Sequence, residues 1–264
     1  MLLVLISAPP NRDLRALLRH WRFCPPLRTD GSLAVARGAP EHPSFADGAP
    51  FGSSRPARLF RVKAADDPAV YLLSSVWVID ATPEEVAGVF LDPASIARWW
   101  QAAFLRVDVL QPGGLHGLGA TFRVHAKGRM PHTFQFLIKV VESSFPLGFR
   151  AEVMGDYHGA MGCRVESLAP ARVAMECTWN VRVRKPFVRM LSTWLRPIFV
   201  ANHRWAMTKG EQGLRIEVRA RRQGIEIPSS RYPQPVFPHN VRWIRDRLEW
   251  KPWSASWEQA SAIP

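Results

Sequence analysis

Residues 172–183, RVAMECTWNVRV, and the stretch that follows at 184–205, RKPFVRMLSTWLRPIFVANHRW, decide the fold. In the first, Val173, Met175, Cys177, Trp179, Val181 and Val183 alternate with Glu176, Thr178, Asn180 and Arg182, which is the period of a strand with one apolar face. After Lys185-Pro186 the period lengthens to about 3.6 residues, with Phe187, Leu191, Trp194, Ile198, Ala201 and Trp205 along one stripe. A strand therefore runs into a long amphipathic helix. Pro197 lacks the backbone donor a helix interior needs. It predicts a kink and not an end, because the stripe continues past it, through Gly210–Leu214 to about Arg222.

The same alternation recurs upstream. On 119–126, Ala120, Phe122, Val124 and Ala126 oppose Thr121, Arg123 and His125; on 132–142, Phe134, Phe136, Ile138 and Val140 oppose Thr133, Gln135 and Lys139. One-sided strands belong to an antiparallel sheet with one wet face, so His125 is expected at the surface beside Arg123. Gly128, Pro146-Leu147-Gly148, Gly155 to Gly159 and Ala169 to Ala171 supply turns at hairpin spacing. Further back, Ser75–Asp80 reads as a strand. Thr82 then caps a helix with Pro83 at its first position and Glu84 and Glu85 in its first turn, ending near Leu91. Asp92-Pro93 starts a second short helix carrying Ile96, Trp99 and Trp100. The class is α+β: a curved antiparallel sheet, two short helices after its first strand, and a long C-terminal helix.

Flanking this domain, assigned to 59–222 with its clear pattern from Tyr71, are two stretches of different composition. Residues 1–58 are rich in Pro, Gly, Ser and Arg and read as a disordered arm, with one amphipathic pattern at Arg12–Trp21. Residues 223–264 form a Pro- and Trp-rich extension whose Trp243, Trp250, Trp253 and Trp257 are expected to pack on the domain or on a partner. No stretch has the roughly 18 consecutive apolar residues of a membrane helix, and Met1–Ala8 lacks the basic leader of a signal peptide. Cys24, Cys163 and Cys177 show no metal or disulfide spacing, so no metal or cofactor is expected and a reducing, cytoplasmic setting fits. The net charge of +13 is spread as +4 over 1–70 (ten basic, six acidic), +6 over 71–220 (eighteen, twelve) and +3 over 221–264 (seven, four). With no basic block interleaved with aromatics, nucleic acid is not an expected partner.

Specific residues carry a resemblance. Val78-Ile79-Asp80-Ala81-Thr82-Pro83-Glu84-Glu85-Val86, Asp92-Pro93 and Trp99-Trp100 resemble the opening of the SRPBCC superfamily. Gly155-Asp156, Gly159, Asn202-His203-Arg204-Trp205-Ala206-Met207 and Gly210-Glu211-Gln212-Gly213-Leu214 are similar to its bacterial polyketide cyclase/dehydrase-like branch. The resemblance spans about residues 71–222 and implies a helix-grip, START-like fold around a ligand cavity. It does not imply a particular reaction, since members of the superfamily share shape more than activity.

A bent sheet gripping one helix leaves space that its concave face fills or offers to a ligand. The parity sets direct Trp77, Phe122, Phe134, Phe136, Met161, Cys163, Cys177 and Trp179 inward, opposite Trp194, Ile198 and Asn202 of the helix; the competing expectation is that they make a dry, filled core. Asn202 lies near the apolar stripe, and only one of Asn202 and His203 is expected to face the cavity. Asp156 and His158 flank a glycine-bounded turn and, with His203, are the weak candidates for acid/base chemistry, although a turn capped by Asp156 accounts for it as well. No nucleophile elbow, zinc-helix motif or phosphate loop is present. The leading function is binding, by carriage or sensing, of a small hydrophobic or aromatic molecule. The alternative is a cyclase or dehydratase using polar residues at the same cavity. A third class is a protein- or membrane-surface module, supported by Arg12–Trp21. The sequence leaves the ligand and the oligomeric state open.

Overall fold

The computed structural model describes residues 60–250; the expected arm at 1–58 and Trp253 and Trp257 lie outside the described residues. The strands are β1 (Phe60–Lys63), β2 (Val70–Ile79), β3 (Phe104–Gln111), β4 (Thr121–Lys127), β5 (Thr133–Ser143), β6 (Gly148–Gly155), β7 (Tyr157–Ala169) and β8 (Arg172–Val183). They form one eight-stranded sheet in the order β1-β2-β8-β7-β6-β5-β4-β3, with every neighbour antiparallel. Strands β3 to β8 follow one another in the sheet, whereas β2 pairs with β8 and carries β1 on its other side. The crossover from β2 to β3 carries helices α1 (Pro83–Phe90) and α2 (Ile96–Trp99), and after β8 comes α3 (Pro186–Gln223).

Local chemistry places the helix ends where the sequence puts them. Thr82 Oγ1 accepts from the Glu85 N–H at 3.3 Å while the Glu85 carboxylate accepts from the Thr82 N–H at 2.8 Å, a reciprocal box that satisfies two orphan donors of α1. Helix α3 continues through Pro197 and stops at Gly224, whose φ of 64° and ψ of 26° are left-handed, a conformation that costs glycine no Cβ clash. Arg221 and Arg222 sit in its last turn, where cations suit the helix dipole. Arg222 pairs with Glu85 at 2.7 Å and so ties the end of α3 to the start of α1.

The orientation of α3 corrects one expectation. Trp194 is 83% exposed and Ile198 47% exposed, and Met190 is exposed with them. The stripe that faces the sheet contains Val188, Ser192, Phe199, Asn202, Ala206, Gly210, Gly213, Leu214 and Glu217, about one position on from the stripe expected from hydropathy. One position is about 100° of helix rotation. Hydropathy mis-phases the helix because Ser192, Asn202, Gly210, Gly213 and Glu217 interrupt the apolar residues of its inward face, while Met190, Trp194 and Ile198 stand outward. A Trp194→Gln substitution is accordingly expected to change stability by less than about 0.5 kcal/mol, as for surface positions generally; a thermal melt checks this.

Residues 224–250 run back over the outer face of β3, β4 and β5. Tyr232 is buried, and its hydroxyl donates to Glu217 at 2.6 Å. Lys127 Nζ donates to the carbonyls of Val236 (2.8 Å) and Phe237 (3.2 Å), and Gln135 Nε2 donates to the Glu249 carbonyl at 3.0 Å. Trp250 donates its indole N–H to Asp108 at 2.8 Å and lies under the guanidinium groups of Arg106 and Arg123, 5.0 and 4.3 Å from its ring. This strap makes the expected wet face of β4 a covered one. His125, expected at the surface, is 3% exposed with its ring 5.8 Å from that of Trp250. Trp243, by contrast, is exposed.

Candidate functional site

Where α3 meets α2 and β2 it has no side chain. A Cβ on Gly210 would lie 2.4 Å from the Trp100 ring and 2.7 Å from Trp77, and one on Gly213 would lie 2.0 Å from the Trp99 carbonyl oxygen. Trp77, Trp99 and Trp100 fill this end: Trp99 stacks on Trp100 at 5.5 Å, Trp77 meets Trp100 edge-on at 5.3 Å, and Trp100 donates to the Ala206 carbonyl at 2.9 Å. On the N-terminal side of Gly210 a cavity of about 130 Å³ lies beneath α3. By the same kind of measure a water needs about 10–15 Å³, so this space is not a filled core.

The cavity wall is aromatic and aliphatic. Phe134, Phe136, Met161, Cys163, Cys177 and Trp179, all directed inward by strand parity, line it, as do Asn202 and His203 from α3. Phe122 instead lines a second cavity of about 80 Å³ on the other side of Phe90 and Trp100. Trp77 borders neither, because it packs against Gly210 where helix and sheet touch, and the outward Trp194 and Ile198 border neither. Both Asn202 and His203 reach the cavity, although only one was expected to, since the inward direction of the helix falls between them. Sequence reasoning missed Tyr71, Phe90, Trp100, Phe104 and Tyr157 in the lining. For Tyr157 a signal existed: it alternates with Asp156 and His158, so a wall position for one meant an outward position for the other two.

The polar groups are accounted for one by one. Asn202 Oδ1 accepts from the Arg129 N–H at 2.6 Å, which holds α3 against the turn between β4 and β5. That turn carries Gly128, where a Cβ would sit 2.2 Å from the Asn202 amide. His203 stacks on Trp179 with centroids 6.1 Å apart and meets Phe60 at 6.1 Å. Burial pushes its pKa down to about 4, so the imidazole is neutral near pH 7. Tyr157 is flanked by Phe134, Phe136 and Trp179, at 4.6, 5.5 and 5.4 Å, and burial drives its phenol well above the usual range. Asp156 accepts from the Gln135 N–H at 2.9 Å and so clips β5 to the β6–β7 turn, while His158 is exposed; neither lines either of these two cavities. The expected Asp156/His158 acid/base pair therefore does not meet in this space.

Cys163 and Cys177 are directly opposed on β7 and β8 with their sulfurs 3.3 Å apart, both as thiols, and burial pushes the Cys177 thiol up. Raised thiols are poor nucleophiles. Among the described residues no group of three or more His, Cys, Asp or Glu side chains is placed to hold a metal ion, and no helix is long and apolar enough to cross a membrane.

The lowered pKa of His203 gives a testable pH effect. Between about pH 6.5, where an unfolded histidine titrates, and about pH 4, the unfolded chain binds a proton that the folded chain does not. Stability falls as pH falls through that window. A His203→Gln protein is expected to lose less stability than the parent over the same range, as read from denaturant midpoints at several pH values.

An eight-stranded antiparallel sheet, a two-helix crossover after β2 and a long C-terminal helix lying over an apolar cavity together define the architecture. The fold is helix-grip. No family model matches the chain, and no curated protein matches its sequence. Solved structures similar to it include ZhuI aromatase/cyclase from Streptomyces sp. R1128, at 14% identity over 58% of this chain and 95% of that one with a TM-score of 0.48. A Thermus thermophilus protein, TTHA0849, has 16% identity over 57% and 98% of the two chains, TM-score 0.46. A START superfamily protein from Mycobacterium smegmatis has 14% identity over 52% and 98%, TM-score 0.39.

Proposed function

We propose that this protein binds a small apolar or aromatic molecule in the cavity under α3, to carry or sense it, without transforming it. The observation that carries the reading is the cavity wall: rings and aliphatic groups on nearly every side, with Asn202 and His203 at the helix. Such a wall gains free energy by removing apolar ligand surface from water, at about 25 cal/mol per Å². Two polar groups orient the ligand at little desolvation cost. A cyclase or dehydratase reading needs a proton donor and acceptor facing one ligand atom. Asp156 is engaged with the β5 backbone and His158 points away, which weighs against it.

Native mass spectrometry of the full chain, compared with a denaturing extract of the same sample, tests the reading. The expected result is one apolar ligand per chain, recovered chemically unchanged, or saturable uptake of a hydrophobic fluorescent probe by the empty protein. Conversion of the released molecule on re-addition would favour an enzyme, and an empty protein that takes up no probe would sink the proposal. Ala206→Trp, which puts an indole into the cavity from α3, is expected to weaken probe binding by about tenfold or more, equivalent to about 1.4 kcal/mol.

A further inference from the structure

The outward side of α3 is apolar where a surface helix is normally polar. Met190 is 68% exposed, Trp194 83% and Ile198 47%. Spaced by four, they form one strip about 12 Å long at 1.5 Å per residue, and Pro197, also exposed, lies beside it. None of these side chains borders either of the two cavities. We infer that this ridge docks the protein on an anionic lipid surface, with α3 lying in the plane of the interface. The ridge is separate from the Arg12–Trp21 pattern, and the inference does not depend on what the cavity holds.

Charge selects the partner. Residues 177–210 hold seven lysines and arginines and no aspartate or glutamate. Arg184 and Arg189 stand exposed at the start of α3, and Arg204 is exposed further along it. Among the described residues these three side chains have no carboxylate partner. Asp67, brought to this end of the sheet by the β1–β2 loop, is taken by Arg182. Arg196 turns the other way, to the carbonyls of Pro68 and Val70 at 2.9 Å. A second copy of the chain would set like charges face to face. A bilayer with anionic headgroups instead offers negative charge beside an apolar interior, which is the complement of this strip.

The residue types suit that boundary. A tryptophan ring is stable at headgroup level, and an arginine stem lies along apolar surface while its guanidinium stays at the phosphates. Each cation close to an anionic surface adds roughly fivefold in affinity. The opposite side of α3 is committed to the domain: Ser192 accepts from the Tyr71 hydroxyl at 3.2 Å, and Asn202 holds the Arg129 N–H at 2.6 Å. The helix therefore cannot roll its inward face to the lipid, and docking is confined to the ridge.

Co-sedimentation of the full chain with vesicles of phosphatidylcholine, and of phosphatidylcholine mixed with phosphatidylglycerol, tests the inference. Partitioning is expected to be at least about tenfold stronger on the anionic vesicles and to weaken as salt screens the arginines. Trp194→Gln, which leaves the fold intact, should weaken it by about tenfold or more. Arg189→Gln and Arg204→Gln together should weaken it by about 25-fold. Uptake of a hydrophobic probe should be unchanged in both variants, because none of these residues lines either cavity. Trp243→Gln, at the exposed tryptophan of the strap, is the control and should bind as the parent does. Binding to neither vesicle, equal binding to both, or an equal loss in Trp243→Gln would overturn the inference. A parent that is dimeric in analytical ultracentrifugation while Trp194→Gln is monomeric would overturn it too, and would assign the ridge to a second copy.

Discussion

Replacing Gly213 by alanine is expected to destabilise the protein by about 1–3 kcal/mol, the usual cost of overpacking, although alanine is the better helix former by about 1 kcal/mol. The sign follows from what the new methyl group meets. It would stand 2.0 Å from the Trp99 carbonyl oxygen, a backbone atom with no rotamer to move. Helix α3 must therefore shift away from α2, and the Trp99–Trp100 stack shifts with it. Gly88, on α1, is the control: nothing lies within 4 Å of its added Cβ. Gly88→Ala is expected to stabilise by about 0.5–1 kcal/mol, so the same substitution in two helices moves the urea midpoint in opposite directions. Equal shifts, or a stabilised Gly213→Ala, would show that α3 does not rest on the Trp99 backbone.

Glu217→Ala is expected to cost about 3 kcal/mol, the low end for breaking a buried ion pair. The carboxylate is 1% exposed and accepts from Arg98 at 2.8 Å, Arg221 at 2.8 Å and the Tyr232 hydroxyl at 2.6 Å. Its removal leaves two guanidinium groups that are 36% and 35% exposed and recover hydration, which keeps the loss near the lower bound. The buried Tyr232 hydroxyl keeps the Arg98 contact and loses its acceptor. Because Tyr232 anchors the strap, amide hydrogen exchange at 228–240 should rise with the loss of stability. The Tyr232, Arg221 and Arg98 hydrogen bonds hold the Glu217 pKa below the usual carboxylate range against the opposing effect of burial. Its stabilisation is complete above the ordinary glutamate value of about 4.3 and is lost as pH falls through the lowered folded value. The difference between parent and variant should therefore narrow on acidification below about pH 4; a constant difference down to pH 2 would contradict this assignment.

Local sequence pattern determined the α+β class, the strand faces on 119–126, 132–142 and 172–183, the capped start of α1 and the stop of α3 near Arg222, because these are properties of neighbours in sequence. Phe134, Phe136, Met161, Cys163, Cys177 and Trp179 were placed on the cavity wall for the same reason: on a strand, the side of each residue follows from counting by two. The rotation of α3 could not be read this way. Met190, Trp194 and Ile198 form an apolar outward ridge while Ser192, Asn202, Gly210 and Gly213 break up the inward stripe, so hydropathy pointed to the wrong face. Only contact with α2 and β2, through Gly210 and Gly213, decides which side is inside. Within 224–250 a helical spacing is legible at Val241, Ile244 and Leu248, where a short helix forms at Arg242–Asp246, but the path of the segment over β3 to β5 is set by pairings distant in sequence, such as Tyr232 with Glu217 and Trp250 with Asp108. The same holds for the cavities. Which aromatic side chains fill space, and which stand around it, depends on the distance between helix and sheet, and that distance is fixed by packing in three dimensions.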